Sequence, residues 1–184
     1  MRHFKHTNMN KLFLTFLLLS IFCVAKAQQT IDESTMRVNI KVHTDSMTNY
    51  FLKKDLKSYL TFIYEPMIKL NGGLGKVKAD LENELESFAK EGFAISSIKY
   101  ENISKLIYAK NQIQCTITEK SEYSGTGLKM KLKSTIIAIS KDQGKTWKFI
   151  DPFGMSLNQL RIYLPELSEE IILPEVEEPI ITET

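Results

Sequence analysis

Apolar residues in the first half of the chain recur at intervals of three and four. Met36, Ile40, His43, Met47 and Tyr50/Phe51 fall on one face of a helix running from Ser34, although Val38, Ile40 and Val42 also alternate as a strand would. Asp55 has the chemistry of an N-cap for a second, short helix, with Leu56, Tyr59, Leu60 and Ile63 inward and Glu65-Pro66 as its stop. Asn71-Gly72-Gly73 reads as a turn. Between Leu74 and Lys90 the spacing of Leu74, Val77, Leu81, Leu85 and Phe88 is helical again, with acids on the outer face and Gly92 as the stop.

Beyond Phe93 the period changes to two, as in Ile113/Cys115/Ile117 and Leu128/Met130/Leu132. Strands are predicted over 94–101, 104–110, 112–121, 127–140, 145–151 and 159–164. Gly125-Thr126-Gly127 and Asp142-Gln143-Gly144 are hairpin turns, so the strands they join must be antiparallel. The expected fold is α+β: three N-terminal helices packed on a curved antiparallel sheet, in a single domain over residues 28–164. Residues 165–184, with prolines at 165, 174 and 179, read as an acidic, irregular tail.

The first 27 residues carry Arg2, Lys5 and Lys11, then an apolar run from Leu12 to Ala25, then Ala25-Lys26-Ala27. Basic, apolar and small-residue zones in that order predict a signal peptide over 1–27, cleaved before Gln28, and a secreted or periplasmic protein. The apolar run is about 14 residues, short of the roughly 20 a membrane-spanning helix needs, so no membrane span is expected after processing. Ile21 and Phe22 before Cys23 stand where a lipidation site wants small residues, which argues against a lipid anchor.

Processing changes the charge. The whole chain has 24 basic and 22 acidic residues, but the leader holds four basic ones and no acid, leaving a net charge of −2. The tail takes seven glutamates and no lysine or arginine, so residues 28–164 carry +5. A basic body with an acidic tail suggests self-contact or contact with a partner. Export and the absence of an arginine–aromatic stripe argue against nucleic acid. Cys115 is the one cysteine left after processing, so no intrachain disulfide forms, and its place in an apolar alternation makes it a buried hydrophobe.

Helices first, then a long antiparallel sheet, with Lys54-Asp55-Leu56, Tyr64-Glu65-Pro66, Gly72-Gly73 and the run Gly144 to Asp151, resembles the cone-shaped fold of the nuclear transport factor two-like superfamily over residues 34–164. That superfamily includes ketosteroid isomerase-like and polyketide cyclase-like enzymes and also exported domains with no known catalysis. The resemblance therefore implies a fold and not an activity, and no catalytic residue of those enzymes maps onto this chain. Ser140-Lys141-Asp142-Gln143-Gly144-Lys145-Thr146-Trp147 resembles the Asp-box of sialidases, whose chemistry is structural: Ser and Asp oxygens bind turn N–H groups, Gly takes a conformation L-residues resist, and Trp packs beneath. A sialidase needs three arginines to hold a carboxylate, and after the leader there are Arg37 and Arg161 alone, so Ser140, Asp142, Gly144 and Trp147 read as a structural turn.

His43 is the sole histidine after processing, which nearly excludes a His-based nucleophile relay or a multi-histidine metal site, and no cofactor or metal is implied. Tyr50, Tyr59, Phe62, Tyr64 and Trp147 are candidates to line a pocket, with Tyr100 and Tyr108 as further phenols, although aromatics at such spacings more often build a core. Asp55 is the carboxylate to test as a general base if the protein is an enzyme, against its simpler role as an N-cap. Lys129, Lys131 and Lys133 share one face of a strand, either a solvated face or an anion strip. Asp45-Ser46-Met47 resembles a short O-glycan acceptor of some exported bacterial proteins, and Asn102-Ile103-Ser104 has the N-glycosylation form.

These features leave three functions in play. The first is a non-catalytic exported binding or accessory domain for a small apolar ligand, a glycan or a protein partner. The second is a small isomerase or dehydratase with a carboxylate base and a tyrosine oxyanion donor in an apolar cone. The third is a structural accessory of an envelope assembly. A carboxylate of raised pKa at the floor of an apolar cavity separates the second from the first.

Overall fold

The computed structural model describes residues 31–152, 154–175 and 177–183, so the expected signal peptide lies outside the described residues. Those residues form one unit, Ile31–Thr184. Helix α1 spans Glu33–Leu52, capped by Asp32, whose carboxylate accepts from the Thr35 N–H at 2.9 Å. It buries Met36, Ile40, Thr44 and Met47, while Val38 and Val42 face solvent, so the helical period prevails over the strand-like alternation. α2 is Leu56–Leu60, with Asp55 as its N-cap. Glu65-Pro66 does not end α2, which already stops at Leu60 with Thr61 as its C-cap. That pair instead opens α3, Glu65–Leu70, because proline in a first helical turn forfeits no hydrogen bond. Between α2 and α3, Ile63 forms a parallel bridge to Phe149, with Phe62 O and Tyr64 N bonded to Phe149 N and O at 2.8 and 2.9 Å. α4 spans Leu74–Lys90.

The sheet is antiparallel, curved and open, and the fold is α+β. Two long central strands, β3 (Gln112–Gly125) and β4 (Leu128–Ser140), pair along their whole length through the Gly125-Thr126-Gly127 turn. On the outer side of β3 lie β1 (Ala94–Glu101), with a bulge between Ile95 and Ser97, and the short β2 (Ile107–Ala109). On the outer side of β4 lie β5 (Lys148–Ile150) and β6 (Ile180–Glu183). The sheet is thus four strands wide, each edge made of two segments.

Period two divides its faces. One face carries Ile113, Cys115, Ile117, Ile136 and Ala138 against Met36, Ile40, Met47, Trp147 and Phe149. The other carries Ile137, Ile139 and Ile150 against Tyr64 and Met67 of the α3 region and against Leu160, Leu164, Leu167 and Ile171.

Two expectations are corrected. Residues 159–164 belong not to a strand but to α5, Leu157–Tyr163, where Ser156 and Gln159 form a reciprocal capping box and Leu157, Leu160 and Leu164 turn inward at helical spacing. The segment after Pro165, expected to hold no regular element, carries β6 at Ile180–Glu183 and contributes to the core. Leu167 and Ile171 are 3% and 2% exposed, and Gln114 clamps the segment, accepting from Ser168 N at 2.9 Å and donating to Glu166 O at 2.8 Å. Glu177 then pairs with Lys133, and β6 joins the Leu128–Lys131 edge, so the acidic segment does dock on the lysine-bearing strand. Among the described residues no helix is long and apolar enough to cross a membrane.

Candidate functional site

The inward row of β3 reads Ile113, Cys115, Ile117, Glu119, Ser121, Tyr123. Its first three residues are sealed beneath α1, and the fourth is a carboxyl. From Glu119 onward the roof is no longer α1 but α4, and between α4 and the sheet lies a half-open cleft of about 420 Å³. This is why α4 has a clear apolar stripe but no fully buried residue: Leu81, Leu85 and Phe88 face the cleft. Ile95 and Ile98 of β1 with Met130 and Leu132 of β4 form the opposing wall. Phe51 and Tyr59, 5.0 Å apart between ring centres, close the end next to α1 and α2. Phe88 and Tyr123, edge-on at 5.2 Å, close the other.

Polar groups converge on this apolar space. Tyr100 of β1 lies directly opposite Glu119 of β3 in the strand register, and its hydroxyl donates to the Glu119 carboxyl. Burial pushes Glu119 up to about 7, the Tyr100 hydrogen bond opposes that rise, and the negative charge of Asp151 adds to it. Burial and the same carboxylates raise Tyr59 and Tyr100, so both phenols keep their protons and act as hydrogen-bond donors. Glu84, Asp151 and Thr48 also line the cleft, and the Thr48 hydroxyl oxygen is buried without a hydrogen-bond partner among the described residues. At neutral pH the cleft can accept hydrogen bonds or a proton at Glu119 and donate from the neutral phenol of Tyr59, the Tyr100 proton being committed to Glu119.

Comparison with family models, with curated proteins and with solved structures returned no match for this chain. The site therefore rests on its own geometry.

Of the pocket candidates read from sequence, the cleft gathers Tyr59, together with the further phenol Tyr100. Tyr50 stacks at 6.0 Å on Phe62, which packs on the α1-side core. Tyr64 lies in the core on the opposite face, its ring 5.0 Å from the Lys141 ammonium. Trp147 is wholly buried, and its indole N–H donates to Gly144 O at 3.2 Å. Tyr108 is exposed. Asp55 is exposed outside the cleft, and hydrogen bonds from the Ser58 side chain and backbone hold its carboxyl below the usual range.

The Asp-box-like hairpin is the structural turn its sequence implies. Ser140 Oγ donates to Asp142 and accepts from Gly144 N, both at 2.9 Å, while Asp142 accepts from the Thr146 N–H and hydroxyl at 2.9 and 2.7 Å. Gly144 has a φ of +83°, and a Cβ there would collide with Met36. His43 bonds Asn39 O from Nδ1 at 2.8 Å, with its ring edge-on to Phe62. Ser46 donates to Val42 O within α1 at 2.7 Å. Lys129, Lys131 and Lys133 are exposed, a solvated face that also pairs with Glu122 and Glu177.

Sequence reasoning missed Glu119, Glu84, Asp151 and Tyr123. The available signal for Glu119 was parity: it shares the inward face of the Ile113/Cys115/Ile117 row, where a carboxyl breaks the apolar pattern.

Proposed function

We propose that this is an exported binding domain that takes a small, mainly apolar molecule into the cleft between α4 and the sheet, with the ligand's polar end against Glu119. The observation that carries the reading is the meeting of apolar walls with a desolvated, Tyr100-bonded carboxyl in a space of about 420 Å³, within the size range of small-molecule pockets. Export is supported by the leader pattern at 1–27. Membership of the nuclear transport factor two-like superfamily belongs to the same proposal, supported by helices that precede a curved, open antiparallel sheet.

The test is a panel of apolar fragments against the chain from Gln28. A ligand should raise the melting temperature by mass action without being consumed, and Leu85→Arg, which places a charged chain in the cleft, should abolish the shift while the variant stays folded. Shifts that persist in Leu85→Arg would overturn the site.

Proton-transfer catalysis is the second reading, favoured by Glu119 itself: a carboxyl raised to about 7 is suited to a general base at neutral pH. Binding takes precedence because the nearest phenol, Tyr100, donates to the base rather than to a substrate oxygen. Turnover of a carbonyl compound with an acidic α-proton that vanishes in Glu119→Gln, with melting temperature preserved, would reverse that order.

A further inference from the structure

The charge of the cleft restricts its ligand, an inference that rests on the binding reading above. Among the described residues lining it are Glu84, Glu119 and Asp151, and no lysine, arginine or histidine. The carboxylates come from three different elements: α4, β3 and the segment after β5. Among the described residues no group of acids is close enough to hold a metal ion. The negative potential is therefore spread along an apolar, aromatic cavity rather than focused on a point, which suits a cation carried on a hydrocarbon body and not a bare metal. Ring pairs at both ends, Phe51–Tyr59 and Phe88–Tyr123, add electron-rich faces.

We propose that the cleft selects protonated organic amines, with an ammonium head near Glu119 and Asp151 and an apolar body between α4 and the sheet. An ammonium group adds charge-assisted donors beside Glu119, and its charge relieves the mutual repulsion of Glu119 and Asp151. An anionic ligand of the same shape meets like charge from Glu84, Glu119 and Asp151 and is rejected.

Three probes of one skeleton decide it: phenylbutylamine, phenylbutanol and phenylbutyrate, titrated by calorimetry against the chain from Gln28. The amine should bind about tenfold tighter than the alcohol, as a desolvated charge pair with aromatic contacts provides, and the carboxylate should not bind. The amine's advantage should grow between roughly pH 6 and pH 8 as Glu119 gives up its proton, while burial keeps the phenols of Tyr59, Tyr100 and Tyr123 neutral. Glu119→Gln and Asp151→Asn, each checked for an unchanged fold by far-UV circular dichroism, should both erode the preference for the amine. An alcohol that binds as well as the amine, or a carboxylate that binds best, overturns this inference and leaves the cleft as a binding site. Failure of all three probes overturns the binding reading with it.

Discussion

Tyr100 on β1 and Glu119 on β3 stand opposite each other in the strand register, and the phenol donates to a carboxyl that burial has pushed up to about 7. The pair links sheet geometry to chemistry, because an edge strand delivers the donor and the inward row of a central strand delivers the acid. Four outcomes follow from this and from the packing around it.

Glu119 makes stability depend on pH in a window of its own. Its folded-state pKa of about 7 lies above its ordinary 4.5, so the folded chain holds more protons between those values. The stability this contributes is complete below that window and lost as pH rises through about 7, opposite in sign to Asp142, whose burial is outweighed by hydrogen bonds from Thr146 and Ser140 that lower its pKa. Glu119→Gln cannot titrate, so its melting temperature relative to wild type should rise on going from roughly pH 5 to roughly pH 8. A pH-independent difference would show a normally titrating Glu119.

Removing the Tyr100 hydroxyl removes a hydrogen bond that favours the charged form of Glu119. In Tyr100→Phe the Glu119 carboxyl should titrate at higher pH than in wild type, read from its side-chain carbon shift by NMR. A titration moved downward would mean that the phenol does not donate to Glu119.

The hairpin at Ser140 to Trp147 is held from below. Trp147→Ala, at a fully buried site, should cost roughly 3 to 5 kcal/mol in chemical denaturation. Gly144→Ala should cost more than about 1 kcal/mol, since it sets a Cβ at positive φ against Met36. Wild-type stability in either variant would take the hairpin out of the core.

The C-terminal segment divides at Leu173. A chain ending there keeps Leu167 and Ile171 in the core and loses β6, so it should retain cooperative unfolding. A chain ending at Glu166 loses both buried side chains and leaves Gln114 without its Ser168 partner, and should unfold with a much weakened transition. Equal melting of the two truncations would show that residues 167–171 contribute nothing to the fold.

Local periodicity carries the elements whose faces are decided by near neighbours. The helices from Ser34, Asp55 and Leu74, the antiparallel pairing through Gly125-Thr126-Gly127, the Asp55 cap and the burial of Cys115 and Trp147 were all legible, because i, i+4 and i, i+2 spacing are properties of a few consecutive residues. Only the tertiary structure decided the rest. Whether Leu157, Leu160 and Leu164 belong to a helix or a strand depended on the sheet face they cover, and Ile171 became core because Gln114, some fifty residues earlier, clamps the chain beside it. The cleft is the clearest case. Glu119 has the same inward parity as Ile117, yet one is sealed and the other lines a cavity, because the roof passes from α1 to α4 between them. Where two helices leave a gap over a sheet is set by long-range packing, which no stretch of neighbouring residues records.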